Sequence, residues 1–398
     1  MVPGSLRTAE FWTSLLVLGL GVLIHVWWWP LLTVDMGEFL LPWLAHIRAT
    51  GPVAAFATPF SNYMPPYLYL LAAASPLAAW MPDASVIKLV SMLGTLMLTL
   101  AARHLLLRLG VPSPGRKALV VALLPSVVIN AGLMGQCDAW WAAPLVMATA
   151  AAIDRRHAAM FAWCGLAFAI KAQAAFAAPF FLALVLARRV PLRLWALAPL
   201  TAIAALLPAV AMGWPPRDLA MVYFRQAGHN DGLAFNAPNL WSIVEPLLSP
   251  SLVHPLTWLA FAAAVGATLL YLVLLTPRLA RAGADVLLAA AALAPLIVCG
   301  LLPRMHERFF FFADVIAILL ALARPDARAA ALLVQAGSAL ALFAYLSGFQ
   351  GAAALGAVAT IAGTFLLAGL VRGGKSNAPA QAQGHARNVV SQISKVSA

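Results

Sequence analysis

Apolar residues in this chain gather into long unbroken runs instead of alternating with polar ones. Twelve runs stand out, near residues 11–29, 86–108, 118–131, 139–153, 158–172, 174–187, 194–212, 257–275, 285–302, 309–323, 329–346 and 350–371. About 20 apolar residues in a helix cross the ~30 Å hydrocarbon core of a bilayer, so several runs are short and their ends are soft. The pattern predicts an all-α polytopic membrane protein with about twelve transmembrane helices. The first run follows Arg7, lacks a small-residue cleavage site and closes on "VWWWP", which reads as an uncleaved helix ending in an interfacial tryptophan belt.

A further run, "PPYLYLLAAASPLAAW" at 65–80, is ambiguous because it opens on two prolines, contains Pro76 and is barely long enough to cross. Lysine and arginine collect in cytoplasmic loops, so charge helps to arbitrate. With this run outside the membrane and the N-terminus inside, 18 of the 25 Lys and Arg residues face the cytoplasm. Letting it cross while Arg7 stays inside puts 17 of those 18 on the wrong face. A crossing run with an external N-terminus is the other arrangement that charge permits. The double proline and the marginal length favour the non-crossing arrangement. It gives a first external loop over 30–85 with two segments lying along the membrane, and a second long external loop over 213–256. The polar turns "NAGLMGQCD", "IKAQA" and "LLPRMHERF" then share that outer face. A single transmembrane domain covers 1–372, and the polar composition of 373–398 predicts a disordered cytoplasmic tail.

Composition agrees. The chain is 63% hydrophobic and 10% charged, against about 25% charged residues in soluble domains, which excludes a water-soluble core. Its formal charge of +12 follows from the loop bias, so it indicates membrane lipids and no nucleic acid as partners. Cys137, Cys164 and Cys299 have no CxxC spacing and predict neither a disulfide framework nor a zinc site.

With 13 acidic residues in 398, each outward-facing carboxylate is a candidate base. In "LLTVDMGEFLLPWL", Asp35 and Glu38 have the spacing of a helix capping box, and Asp35 also suits a general base at the membrane boundary. Gln136 and Asp138 lie beside Trp140 and Trp141, in a turn that Gly132 and Gly135 make flexible. They read either as an ordinary polar helix connection or as a surface for hydroxyl-rich ligands. Lys171 and Gln173 interrupt an apolar run, which marks a functional site by default, although a lysine there also suits snorkelling to the interface. As a compact point charge, Lys171 fits a phosphate. His306 and Arg308, with Arg304 and Glu307, make a boundary turn suited to an anionic headgroup. Arg225, Asn236, Asn239 and Trp241, with Gln226, His229, Asn230 and Asp231, form an amide-rich loop of the kind that faces sugars.

Taken in order, "DMGEF", "NYMPPYLYLL", "GQCD", "KAQ", "NAPNLW" and "MHERF" resemble integral-membrane glycosyltransferases of the GT-C class, in particular bacterial relatives of the second mannosyltransferase of glycosylphosphatidylinositol assembly. The resemblance implies a GT-C fold with two juxtamembrane helices in the first external loop. It also implies a hexose donor, mannose-like, carried on a polyprenyl phosphate, an extracytoplasmic acceptor glycan or lipid, and an outward-facing site in a bacterial inner membrane. Asp35 takes the position of the family's catalytic acid. Lys171, His306, Arg308 and Arg225 then attend the departing phosphate, and Glu38, Gln136, Asp138, Gln173, Asn236, Asn239 and Trp241 attend sugar or acceptor. Met64 and Phe309 stand where the family often has tyrosine. No cofactor is implied outright, and a divalent metal enters only if Asp35, Glu38 and Asp138 converge. A transporter or flippase of lipid-linked sugars is the alternative, and it calls for inverted repeats and interrupted helices near the midplane.

Overall fold

The computed structural model describes residues 4–226 and 232–373. Seventeen α-helices follow one another along these stretches. The segment between α1 (Gly4–Trp27) and α4 (Asp83–Arg108) holds α2 (Leu41–Thr50) and α3 (Pro65–Ala74). Next come α5 (Pro114–Ala122), α6 (Pro125–Val128), α7 (Asp138–Ile153), α8 (His157–Ile170), α9 (Ala178–Leu186) and α10 (Leu197–Ala211). The second long loop carries α11 (Pro216–Gln226) and α12 (Leu240–Val244), and α13 (Pro250–Leu279), α14 (Ala284–Leu301), α15 (Phe311–Ala323), α16 (Arg328–Ser347) and α17 (Gln350–Gly373) complete the bundle.

All twelve apolar runs fall on helices. Six helices are long and apolar enough to cross a membrane, and α5 with residues 125–133 makes a seventh if their 58° bend is one broken span. Five further apolar helices have 10–17 residues. Pro125 lies at that bend, where its ring cannot continue the hydrogen-bond ladder of the preceding turn.

The bundle is centred on α7, α14 and α15, whose apolar faces are buried nearly throughout. The alanine-rich "ADVLLAAAALAP" of α14 lets its neighbours approach closely, which is how helices pack when the surroundings are apolar on every side. By contrast, α10 and α13 turn Leu200, Ile203, Leu207, Leu259, Leu269 and Val273 outward.

The segment between α1 and α4 is held down at several points. Residues 65–74 form a ten-residue helix, about 15 Å long at 1.5 Å per residue, so α3 is half the length needed to cross. Pro65 and Pro66 occupy its first turn, where a missing N–H leaves no partner wanting. The Tyr69 hydroxyl accepts a hydrogen bond from the Ala209 amide at 2.8 Å, next to Pro208 inside α10, which ties α3 to the bundle. Met36, Trp43, Phe56, Tyr67, Val86 and Trp214 pack together beneath this segment. Lys88, fully buried on α4, donates to the carbonyls of Trp28, Trp29 and Leu31 at 3.0, 2.9 and 2.6 Å. That cage fixes the turn leading into Asp35.

Not every expectation has the predicted form. Residues 234–235 (β1) and 305–306 (β2) pair as a short parallel ladder, so two loops read as irregular share backbone hydrogen bonds. The last helix runs through Gly373, and the predicted tail beyond it lies outside the described residues, as do His229, Asn230 and Asp231.

Candidate functional site

Asp35 directly precedes a π-helical turn, Met36–Leu40, and makes no side-chain cap. The capping box therefore does not form: Asp35 is already helical, at φ −54° and ψ −39°, so its carboxylate cannot fold back on the amides ahead of it. Glu38 is exposed on that turn. The Asp35 carboxylate instead turns to two distant partners. Its Oδ2 accepts from Arg308 Nη1 at 2.6 Å and from Gln136 Nε2 at 3.4 Å. No hydrogen bond reaches Oδ1 from the described residues, and the side chain is 22% exposed.

Gln136 is buried at the end of a second π-helical turn, Ile129–Leu133. Gly132 in that turn lies where a Cβ would meet the His25 backbone at 3.0 Å, so only glycine lets α1 come this close. Gly135 has φ +62°, and a Cβ there would meet Met36 Cε at 2.5 Å. Both π turns thus sit beside the site, where such irregularities are frequent in helical proteins.

The Gln136 carbonyl accepts from the Tyr63 hydroxyl at 3.1 Å. Burial raises the Tyr63 phenol above its usual range, with the Lys171 charge opposing, so the hydroxyl remains a donor. Lys171 Nζ lies over the same ring, 5.1 Å from its centroid, and 2.7 Å from Asp138 Oδ1. Asp138 is fully satisfied, since Trp141 Nε1 also reaches Oδ1 at 2.7 Å and Asn130 Nδ2 reaches Oδ2 at 2.6 Å. A buried ion pair needs this full set of partners to offset desolvation.

Arg308 bridges two carboxylates, since Nη1 also contacts Glu307 Oε1 at 3.2 Å. Burial disfavours the guanidinium charge, but Glu307, Tyr63, Asp35 and Asp138 outweigh it and hold Arg308 well above its usual range. Burial pushes the Glu307 carboxyl up while Arg308 pulls it down, and the net position is above the ordinary range. His306 stacks on Phe235 with ring centroids 5.3 Å apart, and burial with the nearby Arg308 lowers it to about 4. Its ring is therefore neutral at physiological pH.

Alongside this cluster runs an apolar cavity of about 1360 Å³, larger than the ~300–1,000 Å³ of ordinary ligand clefts. Its walls include Met64, Phe168, Phe181, Leu206, Tyr223 and Leu269. Met64 follows Tyr63 in sequence, and Phe168 and Ala174 flank Lys171, so the cavity wall and the polar cluster draw on the same chain segments, although no charged side chain of the cluster lines the cavity.

Of the predicted site residues, Asp35, Gln136, Asp138, Lys171, His306 and Arg308 are brought together. The others are placed differently. Asn239 is buried and accepts from the amides of Trp241 and Ser242, capping α12, while its Nδ2 donates to the Cys299 and Leu302 carbonyls at 3.3 Å each. Trp241 Nε1 donates to the Leu301 carbonyl at 2.6 Å. Arg225 pairs with Asp218 on its own helix at 2.7 Å. Gln173 is half-buried with Oε1 unpartnered among the described residues. Asn236 has φ +56°, pairs by backbone bridge with His306 and leaves its buried Oδ1 without a partner among the described residues. Among those residues no three His, Cys, Asp or Glu side chains are placed to hold a metal ion, so Asp35, Glu38 and Asp138 do not converge as a metal trio. Sequence reasoning missed Tyr63 and Lys88 as site-building residues. No family model matches the chain, and no curated protein does.

Proposed function

We propose that the chain is a membrane glycosyltransferase that moves a hexose, mannose-like, from a polyprenyl-phosphate donor to an extracytoplasmic glycan or lipid acceptor. The observation that carries this reading is the Asp35 carboxylate, anchored through Oδ2 by Arg308 and Gln136 with Oδ1 open, in a cluster that also holds the buried cation Lys171, with an apolar cavity built on the same chain segments.

In this reading the cavity takes the isoprenoid chain, and Arg308 and Lys171 take the phosphate. In the displacement, the acceptor hydroxyl oxygen bonds to the anomeric carbon as the bond from that carbon to the phosphate oxygen breaks, inverting the centre. The hydroxyl proton goes to Asp35 Oδ1, and polyprenyl phosphate leaves with the bonding pair. A lipid phosphate is a good leaving group, so one base suffices. Arg308 and Lys171 stabilise the charge that develops on the phosphate, and neutral His306 contributes as a hydrogen-bond donor. Arg225, paired with Asp218, is the more peripheral cation of the same set, and Glu38, Gln136, Gln173 and Asn236 shape the sugar and acceptor surface, while Asp138 holds Lys171 and Asn239 with Trp241 braces α12 against α14. In this reading the five shorter apolar helices cross together with the seven long or bent spans, giving twelve crossings, and α2 and α3 lie along the outer surface of a bacterial inner membrane.

The bend between α5 and α6 favours a second reading, transport of a lipid-linked sugar, because transporters use interrupted spans. Purified protein in lipid nanodiscs, given a panel of labelled polyprenyl-phosphate hexoses and envelope glycolipid extract, separates the two. Glycosyl transfer requires label to appear in the extract with release of polyprenyl phosphate. Intact donors throughout, with donor translocated in sealed vesicles, would replace the proposal with transport.

A further inference from the structure

Three carboxylates, Asp35, Asp138 and Glu307, share this cluster with two cations, Lys171 and Arg308. Both cations are already matched. Lys171 is bound to Asp138, and Arg308 Nη1 is divided between Asp35 and Glu307. An anionic donor phosphate arriving here would make four negative groups for two cations, in a buried setting where unpaired charge is disfavoured. One group must change its charge or leave.

Glu307 is the group built to do so. It is 1% exposed, and it has one contact with Arg308, whereas Asp138 has three hydrogen bonds. Its Oε2 accepts no hydrogen bond from the described residues, and the nearest cationic candidate is His306 Nδ1 at 3.8 Å. Arg308, meanwhile, has a buried Nε–H with no partner among the described residues, a donor placed for an incoming acceptor. The groups facing Glu307 are Arg308, His306, Asp35 and Asp138. None of them supplies a second positive charge once the phosphate engages Arg308.

Resting on the proposed donor chemistry, we infer that Glu307 is a positioning residue that takes up a proton when the donor phosphate displaces it from Arg308, handing the guanidinium from carboxylate to phosphate. In the free protein Glu307 holds Arg308 Nη1 at 3.2 Å beside Asp35. In the complex it is a neutral acid, so the site gains one anion and one proton together. The elevated position of its carboxyl agrees with this direction. Binding of a permanently monoanionic phosphodiester should then weaken as pH rises, approaching tenfold per pH unit where the free protein holds Glu307 charged and the complex holds it protonated.

The test is calorimetric titration of the purified full chain with farnesyl methyl phosphate, a diester that stays monoanionic between about pH 5 and about pH 9. Running it at about pH 8 in buffers of different ionisation enthalpy counts the protons exchanged. Wild type should take up close to one proton per ligand. Glu307→Gln should bind with none and lose the pH slope, Glu307→Asp should keep the uptake, and His306→Gln should keep it as well. Uptake that survives Glu307→Gln, or wild-type binding without uptake, overturns the inference and leaves the donor chemistry standing. Failure of wild type to bind the diester at any pH would sink both.

Discussion

Arg308 reaches Asp35 across 273 positions of sequence, its Nη1 lying 2.6 Å from the Asp35 carboxylate. The contact joins the segment between α1 and α4 to the turn before α15. A charge-assisted hydrogen bond of this length is about twice as strong as a neutral one, so it orients the carboxylate while Oδ1 remains open. The bridge runs through one guanidinium nitrogen, Nη1, and leaves the buried Nε–H without a partner among the described residues, a further donor that a single ammonium in this place would lack.

Arg308→Lys should therefore lower transfer by about 10- to 100-fold, although charge is conserved, because an ammonium cannot reproduce the planar fork. Steady-state kinetics with a lipid-phosphate hexose checks this. A lysine variant equal to wild type would show that orientation is irrelevant.

Lys171 and Asp138 form a buried pair, 2.7 Å apart. Removing one partner leaves the other charge uncompensated, so Asp138→Asn or Lys171→Met should each lower stability by about 3–5 kcal/mol, and the double variant should recover part of that loss. Thermal unfolding of the four proteins in one detergent measures the coupling. Additive losses would mean that the pair contributes nothing as a pair.

His306 gives a pH signature. Its folded value, about 4, lies below the ordinary histidine value of 6.5, so the unfolded chain binds more protons between those limits. The contribution of neutral His306 is present above about 6.5 and is lost as pH falls toward about 4. Glu307, whose carboxyl is raised, contributes with the opposite sign in acid, so the informative quantity is wild type minus His306→Gln. That difference should shrink as pH drops through the window, as read by chemical unfolding at a series of pH values. A constant difference would place His306 in a different environment.

Topology is open to a direct check. If α3 lies along the outer surface, a reporter fused after Ala84 gives an external signal. A cytoplasmic signal would separate the first external segment from the other polar turns.

Much of this site was legible because ionisable residues are few in so apolar a chain. Asp35, Asp138, Lys171, His306 and Arg308 each interrupt or border an apolar run, and a polar group at such depth needs a partner, so their convergence follows from the same pressure that made them visible. Local pattern misled where one residue type serves two purposes. Asp35 and Glu38 carry the letters of a capping box, yet the π turn redirects Asp35. Asn239 and Trp241 look like a sugar-facing pair, yet they cap and dock α12 against α14. Tyr63 and Lys88 stayed hidden because their roles depend on partners 73 and about 60 positions away, which no local period encodes. The ladder between residues 234–235 and 305–306 is too short to leave a strand pattern.

The central claim is that Asp35 is the base. The most direct measurement compares wild type and Asp35→Asn, at matched expression, for hexose transfer from synthetic polyprenyl-phosphate donors. The asparagine keeps shape and size but cannot accept the acceptor's proton, so transfer should fall by about 10²- to 10⁴-fold with the fold intact. Transfer by the asparagine variant at near wild-type rates would contradict the account.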